Sequence, residues 1–314
     1  MKILVTGAAG FIGHAVSKEL AKDNEVMAID NFNNYYSPNL KNIRAKELSE
    51  LGIHVKDLSL EHLFKIEKNY KPELVVHLAA QPGVRISYKN YDKYLKCNID
   101  GFKSLLDFCV ERKVSKVVYA SSSSVYGDSE LPSKESDACN PKSLYGFTKL
   151  FNESMSKIYS NEFDISMIGL RFFTIYGPYG RPDMAYFSFT NSIQKKDEIV
   201  LFNQGSMSRE MTYIDDAVEG AMLAIKRLMK KGCINEIYNI GSDHTITTIE
   251  LLNKIERMLS MSSRIKQEES DAEVLSTCSN LQQSKHELGY NPKISIEEGL
   301  DNFLKWKIDY DRKN

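Results

Sequence analysis

The sequence predicts an α/β fold, a Rossmann-type doubly wound parallel sheet followed by a smaller C-terminal α/β domain. Three observations carry this reading. Apolar runs alternate with helical patterns through the first half at the spacing of βαβ units. Several of those runs are continuously apolar, as in strands buried on both faces. The first run enters Gly7-Ala8-Ala9-Gly10-Phe11-Ile12-Gly13 directly, and a helical pattern follows.

The strands are read at 2–6, 25–29, 54–56, 74–78, 116–120 and 165–170, with helices at 13–22, 40–50, 60–69, 92–112 and 144–160. After residue 172 the pattern changes, and turn signals cluster in Tyr176-Gly177-Pro178-Tyr179-Gly180-Arg181-Pro182. Helices at 184–195, 215–230, 247–260, 280–288 and 296–308 follow, with short strands at 199–202 and 236–240. Residues 1–172 are thus assigned to a dinucleotide-binding domain, to which the strand near 236–240 returns. Residues 173–314 mainly form the second domain, and the charged end from 309 to 314 is read as frayed.

Composition narrows the function. The 314 residues are 42% hydrophobic and 26% charged, which suits a globular chain with a large core. A formal net charge of −1 offers no bulk attraction for nucleic acid or an anionic membrane. The five cysteines, Cys97, Cys109, Cys139, Cys233 and Cys278, are odd in number and contain no Cys-x-x-Cys, so a reducing cytoplasmic setting fits better than a disulfide scaffold or zinc ribbon. No apolar run approaches the roughly 18 residues of a membrane span. Glycines at 7, 10 and 13 and then His14 interrupt the one stretch that resembles a signal peptide. No histidine pair has metal-ligand spacing, and His77, on a strand buried on both faces, reads as a core residue.

The glycine turn is built for a pyrophosphate. One glycine makes the turn, one admits the phosphates, and one lets helix and strand pack closely. Phe11 and Ile12 are expected to face the core behind it. The second strand ends in Asp30, where an acid hydrogen-bonds the adenosine ribose of NAD and repels the 2′-phosphate of NADP. Asp57-Leu58 ends the third strand and either flanks the adenine or starts a helix. Leu78-Ala79-Ala80 ends the fourth, where small side chains either admit the cofactor or simply pack tightly.

Candidate chemistry follows the fifth strand. Ser121-Ser122-Ser123-Ser124 sits at the C-terminal edge of the sheet, where open α/β sheets bind ligands. Downstream, Tyr145 and Lys149 are four residues apart and share one helix face. A phenol titrates at about pH 10, but a nearby ammonium and a nicotinamide cation favour the phenolate. That phenolate can take a proton from a substrate hydroxyl as its carbon is oxidised. A serine of the run can hydrogen-bond the same oxygen, while at least one serine is expected to serve only the turn.

Taken together, these features resemble the extended short-chain dehydrogenase/reductase superfamily, in its NAD-dependent nucleotide-sugar epimerase/dehydratase group. Within that group the chain most resembles UDP-glucuronate 4-epimerases. The resemblance rests on Asp30-Asn31-Phe32-Asn33-Asn34-Tyr35-Tyr36, on His77 to Arg85, on Ala120 to Gly127, on Leu170 to Ala185 and on Tyr213-Ile214-Asp215-Asp216. It implies Tyr145 as base, Lys149 as its partner, and Ser122, 23 residues earlier, as the catalytic hydroxyl. It implies NAD near Asn31 and Asn98, and a UDP-sugar substrate. Ser123, Ser124, Thr174 and Arg181 would hold a uronate carboxylate, and Arg85 would lie with the substrate-binding residues. Arg209 would meet the diphosphate, Phe202 and Asn203 the uracil, and Glu273 the nucleotide ribose. Arg181 and Arg209 also have plain readings, as a solvated loop arginine and as a surface ion pair with Glu210.

The implied reaction is transient oxidation at C4, turnover of the 4-keto sugar and re-reduction. The implied assembly is a homodimer through the helices at 92–112 and 144–160. Their apolar residues, Phe102, Leu105, Leu106 and Phe108, then Phe151, Met155 and Ile158, equally suit packing on the sheet. The chain departs from the family at Ala272-Glu273, where Gly-Asp is usual, at Phe147, where alanine is usual, and at Ser206 to Arg209, which has one basic residue fewer. Other enzymes of the same scaffold remain open: a UDP-glucose or UDP-N-acetylglucosamine 4-epimerase and a UDP-glucuronate decarboxylase. So does a non-catalytic NAD-binding sensor, although such proteins tend to lose the tyrosine or lysine kept here.

Overall fold

A computed structural model describes residues 1–84, 90–230, 232, 234–269 and 274–313. Arg85 and Glu273 lie outside the described residues, as does Ala272. The first half runs β1 (Lys2–Thr6), α1 (Phe11–Leu20), β2 (Glu25–Asp30), α2 (Pro38–Glu50), β3 (Val55–Asp57), β4 (Leu74–His77), α3 (Tyr91–Tyr94), α4 (Gly101–Arg112), β5 (Lys116–Ser122), α5 (Leu144–Phe163) and β6 (Ser166–Phe172). The second half runs β7 (Thr174–Tyr176), α6 (Ala185–Lys195), β8 (Glu198–Phe202), β9 (Ser208–Tyr213), α7 (Ile214–Lys230), β10 (Asn235–Ile240), β11 (Thr245–Thr247), α8 (Thr248–Leu259), β12 (Arg264–Glu268), α9 (Gln282–Leu288) and α10 (Ile296–Lys313).

Seven parallel strands form the main sheet in the order β10-β6-β5-β4-β1-β2-β3. Successive side chains on β1 alternate between its faces: Ile3 and Val5 join one core layer and Leu4 the other. The first layer is closed by α1, α2 and α7, the second by α4 with Met155 and Tyr159 of α5. Strand order reverses between β1 and β4, and this opens a crevice beyond their carboxyl ends.

Two short sheets lie outside this frame, β11-β9-β7 and β12-β8. The sequence showed β8, but β7, β9, β11 and β12 lack a readable apolar alternation. In β9 the charged Glu210 is fully buried, and β12 is mostly exposed along its length. Residues 60–69 are a single short 3-10 turn, Leu60–Lys65, rather than a full helix. The pattern at 92–112 is interrupted by a π-helical segment, Leu95–Asp100. At the C-terminus, residues 309–313 are helical rather than frayed, because Lys307 pairs with Asp311 and Trp306 stacks on Tyr310 at 5.1 Å. No helix among the described residues is long and apolar enough to cross a membrane.

Candidate active site

A single cavity of about 1310 Å³ follows the crevice from the glycine turn to the short sheets. Pockets for one drug-sized ligand span roughly 300–1,000 Å³, so this one has room for a dinucleotide and a second ligand.

At one end the chain leaves β1 through Gly7, at φ +73°. A β-carbon there would lie 2.6 Å from the backbone nitrogen of Ala79, and one on Gly13 would overlap the Gly7 carbonyl. Helix α1 therefore starts close against β1 and β4, with Gly10 as an N-cap that supplies no side-chain acceptor. Its first N–H groups are left to the cavity, which suits phosphate. Asp30 is buried at the end of β2. Its carboxylate accepts from the Ala9 and Phe32 N–H groups at 3.1 and 2.8 Å and from Lys41 Nζ at 3.3 Å. Gly7, Gly10, Phe11, Ile12, Gly13, Asp30, Asn31, Leu58, Leu78, Ala79 and Ala80 all line the cavity. Phe11 thus faces both ways, since it is also in the core. These residues fit NAD: an uncapped helix start for the pyrophosphate and a fixed carboxylate for the ribose.

Asp57 and Asn98 do not line the cavity. Asn98 lies on the π-helical segment, behind the cavity wall. Its Oδ1 accepts from Gln81 N at 2.7 Å, and its Nδ2 donates to the Gln81 carbonyl at 3.1 Å and to Thr148 Oγ1 at 3.0 Å. Its amide thus ties the loop after β4 to α5. His77 is buried beside Thr6, with 2.8 Å between Nδ1 and Oγ1, and burial holds its pKa down at about 3.

At the middle of the cavity, α5 brings three polar side chains to β5. Burial pushes the Tyr145 phenol pKa up, and the neighbouring Ser122 hydroxyl, whose Oγ accepts from the Ser124 N–H at 3.2 Å, pulls it down. Arg181 adds a positive charge that pulls in the same direction. Lys149 is buried, its ammonium 5.9 Å from the Tyr145 ring centre and donating to the Ala120 carbonyl at 2.9 Å. Burial pushes its pKa down to about 8 against the opposing pull of Cys97 and Glu153. The four serines divide. All four line the cavity, but the Ser121 hydroxyl is committed to Glu153 Oε1, to which it donates at 2.5 Å.

Thr174 and Arg181 reach the same region, and Phe202 and Arg209 line the far end; Asn203 does not. Arg181 gives two hydrogen bonds to Asp183, from Nε at 3.0 Å and from Nη2 at 2.5 Å. The Tyr35 hydroxyl donates to the same carboxylate at 3.2 Å. Arg209 does not pair with Glu210. Its Nη1 donates to the Ser208 carbonyl at 2.8 Å. Glu210 is buried on the other side of β9, where it accepts from Ser242, Asp243 and Ser279.

Sequence reading missed Tyr35, Asp183, Lys41 and Arg44. The last two have a visible signal. Leu40, Lys41, Arg44 and Leu48 share the buried face of α2, so two cations sit between two leucines. Counted as a polar helix, that face is overlooked.

A parallel sheet opening at its switch point over a glycine turn, with serine, tyrosine and lysine converging beyond it, defines the extended short-chain dehydrogenase/reductase class. Residues 3–241 match the Epimerase family, described as the NAD dependent epimerase/dehydratase family, and the chain belongs to it. Protein CapI of Staphylococcus aureus is 37% identical, with 100% of each chain covered. UDP-glucuronate 4-epimerase 3 of Arabidopsis thaliana is 37% identical over 98% of this chain and 76% of its own. Among solved structures, UDP-glucuronic acid 4-epimerase from Bacillus cereus, in complex with UDP-glucuronic acid and NAD, superposes with a TM-score of 0.91 at 31% identity, covering 99% of this chain and 100% of that one.

Proposed function

We propose that the protein is an NAD-dependent UDP-sugar 4-epimerase that interconverts UDP-glucuronate and UDP-galacturonate. The observation that carries this is the convergence of Ser122, Tyr145 and Lys149 in one cavity with Ser123, Ser124, Thr174 and Arg181. That cavity holds an acid–base pair and, beside it, the donors a carboxylate needs. The 1–172 part with its later return to the sheet would hold NAD, and the 173–314 part mainly the nucleotide sugar, with Phe202 and Arg209 at the UDP end. Two copies would associate through α5.

Tyr145 takes the proton of the sugar 4-hydroxyl, with the Ser122 hydroxyl placed to hydrogen-bond the same oxygen and Lys149 supplying positive charge behind the ring. When bound, NAD supplies hydride acceptance and return at C4 and a positive ring that favours the phenolate. The 4-keto sugar turns about its diphosphate linkage, and Tyr145 returns the proton to O4 as C4 is reduced on the opposite face. A 4-keto uronate is a β-keto acid, prone to lose its carboxylate when the C5–C6 bond aligns with the ketone π system. Ser123, Ser124, Thr174 and Arg181 would hold the carboxylate out of that alignment.

One observation favours a second reading. Arg181 already pairs with the Asp183 carboxylate, which leaves less of its charge for a uronate and suits a neutral UDP-sugar. The test is incubation with UDP-glucuronate and no added cofactor, with products resolved by proton NMR. UDP-galacturonate is expected. UDP-xylose would make the enzyme a decarboxylase, and conversion of UDP-glucose alone would favour the neutral substrate.

A further inference from the structure

Arg44 is a completely buried cation on α2 that none of the chemistry above uses. A guanidinium carries five N–H donors, and here every one has an acceptor. Nη1 donates to the Ala9 carbonyl of the glycine turn at 3.0 Å and to the Tyr36 hydroxyl at 2.6 Å. Nε donates to the Tyr179 carbonyl at 3.0 Å, and Nη2 donates to the Tyr179 and Gly180 carbonyls at 2.5 and 3.0 Å. None of these acceptors is a carboxylate. Carbonyl dipoles alone repay the desolvation of a cation poorly, so leucine would fill the space at lower cost. What the guanidinium adds is geometry, because a rigid fork fixes several acceptors at once.

The acceptors lie at both ends of the candidate reaction. Ala9 belongs to the turn that would bind the cofactor phosphates. Tyr179 and Gly180 immediately precede Arg181. Tyr179 has φ +60°, a left-handed conformation unfavourable for a bulky residue. It is held there from both sides, its carbonyl by Arg44 and its ring between His14 and Trp306, each with its ring centre at 5.0 Å. A second tie runs in parallel: Tyr35, the neighbour of Tyr36, bonds Asp183, which holds Arg181. The segment from Asp30 to Tyr36 thus reaches the Arg181 loop twice, once directly and once through Arg44.

We infer that Arg44 is a positioning residue that registers the Arg181 loop on the glycine turn, so that the substrate's carboxylate is held in a fixed relation to the bound dinucleotide. The inference rests on the UDP-glucuronate reading for its chemical consequence, but not for the link itself. Loosening the link lets the 4-keto uronate reach the forbidden alignment. Its C5–C6 bond then breaks, carbon dioxide leaves, the electron pair enters the C4 ketone as an enolate, and a proton adds at C5.

Two readouts on the holoenzyme test this. Arg44→Lys keeps the charge but supplies three donors, and Tyr36→Phe removes only one acceptor. Carbon dioxide released per epimerisation of UDP-glucuronate is expected to rise roughly tenfold in Arg44→Lys, well inside the roughly hundredfold effect that a 1 Å misplacement can have, with a higher KM. Tyr36→Phe should move both in the same direction by less. The sole tryptophan, Trp306, packs on Tyr179, so its fluorescence should become more accessible to acrylamide in both variants, without substrate. If wild type converts UDP-glucuronate and both variants keep its carbon dioxide ratio, KM and quenching, the inference is overturned. A uniform loss of kcat with no change in partition or quenching also overturns it, since that marks a structural role only. If wild type does not accept UDP-glucuronate, the substrate reading fails, and the quenching of Trp306 alone decides the link.

Discussion

At Lys149 the protein buries an ammonium whose hydrogen bond goes to a backbone carbonyl. Its folded pKa of about 8 lies below the 10.5 of an exposed lysine, and the sign of the consequence follows. Below the folded value both states are protonated, and folding bears the whole cost of burying the charge. As pH rises from there toward the unfolded value, the folded protein has lost its proton while the unfolded chain keeps it, so the cost fades and stability rises. Lys149→Met should therefore raise the melting temperature at neutral pH, and the gain should shrink on titration toward pH 10.5. The same variant should lose turnover by about 10²-fold or more, the scale of a disabled acid–base group. Melting curves across pH, paired with the epimerase assay, check both halves. A stabilising gain that is flat in pH would show that packing, not charge, sets it. Lys149 was legible because its spacing from Tyr145 is helical. Arg44 was harder to read, because its one signal, two cations between Leu40 and Leu48 on a single face of α2, is masked by the polar composition of the rest of the helix.

Along α5, the residues that meet β5 and β6 form a ladder. Tyr145 faces Ser122 across the cavity wall, Lys149 bonds the Ala120 carbonyl, Glu153 bonds Ser121, and Ser156 bonds Tyr119 at 2.9 Å. The steps of four and three residues in the helix are what put them on one face. Glu153 also takes two hydrogen bonds from Arg171 of β6, at 2.9 and 2.8 Å, in a buried ion pair. Removing one member of such a pair costs about 3–5 kcal/mol, so Glu153→Gln should lower the melting temperature markedly. It should also act on Lys149, whose charge the Glu153 carboxylate favours. The alkaline fall in kcat, expected to begin near the lysine pKa, should then start at lower pH. Adding Arg171→Met should recover stability by removing the orphaned cation, while leaving the pH limb displaced. Recovery of both together would tie the limb to folding and not to Lys149. Helices of this kind are readable from periodicity. The short strands of the second half are not, because buried Glu210 and exposed β12 break the apolar alternation that marks a strand.

On the scale of the whole molecule, two features were only partly written in the chain. The sheet is not confined to its first 172 residues: α7 packs on α1, β5 and β6, and β10 pairs with β6. Sequence shows a short strand at 236–240 but not which sheet edge lacks a neighbour. The second feature is the face of α4 and α5. The structure separates residues that the sequence left equivalent: Phe102, Leu105, Leu106 and Phe108 are all fully buried against the sheet. On α5, Phe147, Phe151 and Ile158 stay exposed, at 51%, 37% and 58%. Their positions, with Ser154 between, follow steps of four, three and four, which is one continuous helical stripe. Phe147 replaces the small residue usual in the family, so the stripe is bulkier here, and a monomer would leave two phenylalanines and an isoleucine in water along the helix that carries Tyr145. A second copy of the same helix, related by a twofold axis, would cover the stripe with itself. Ile158→Asp should convert a dimer into a monomer in sedimentation velocity, because two carboxylates would face each other across the axis. Since α5 carries Tyr145 and Lys149 on its opposite face, the monomer should also lose part of its kcat without losing bound NAD. A wild-type protein that sediments as a monomer would leave the stripe without this partner, and the bulk of Phe147 would then need another cause.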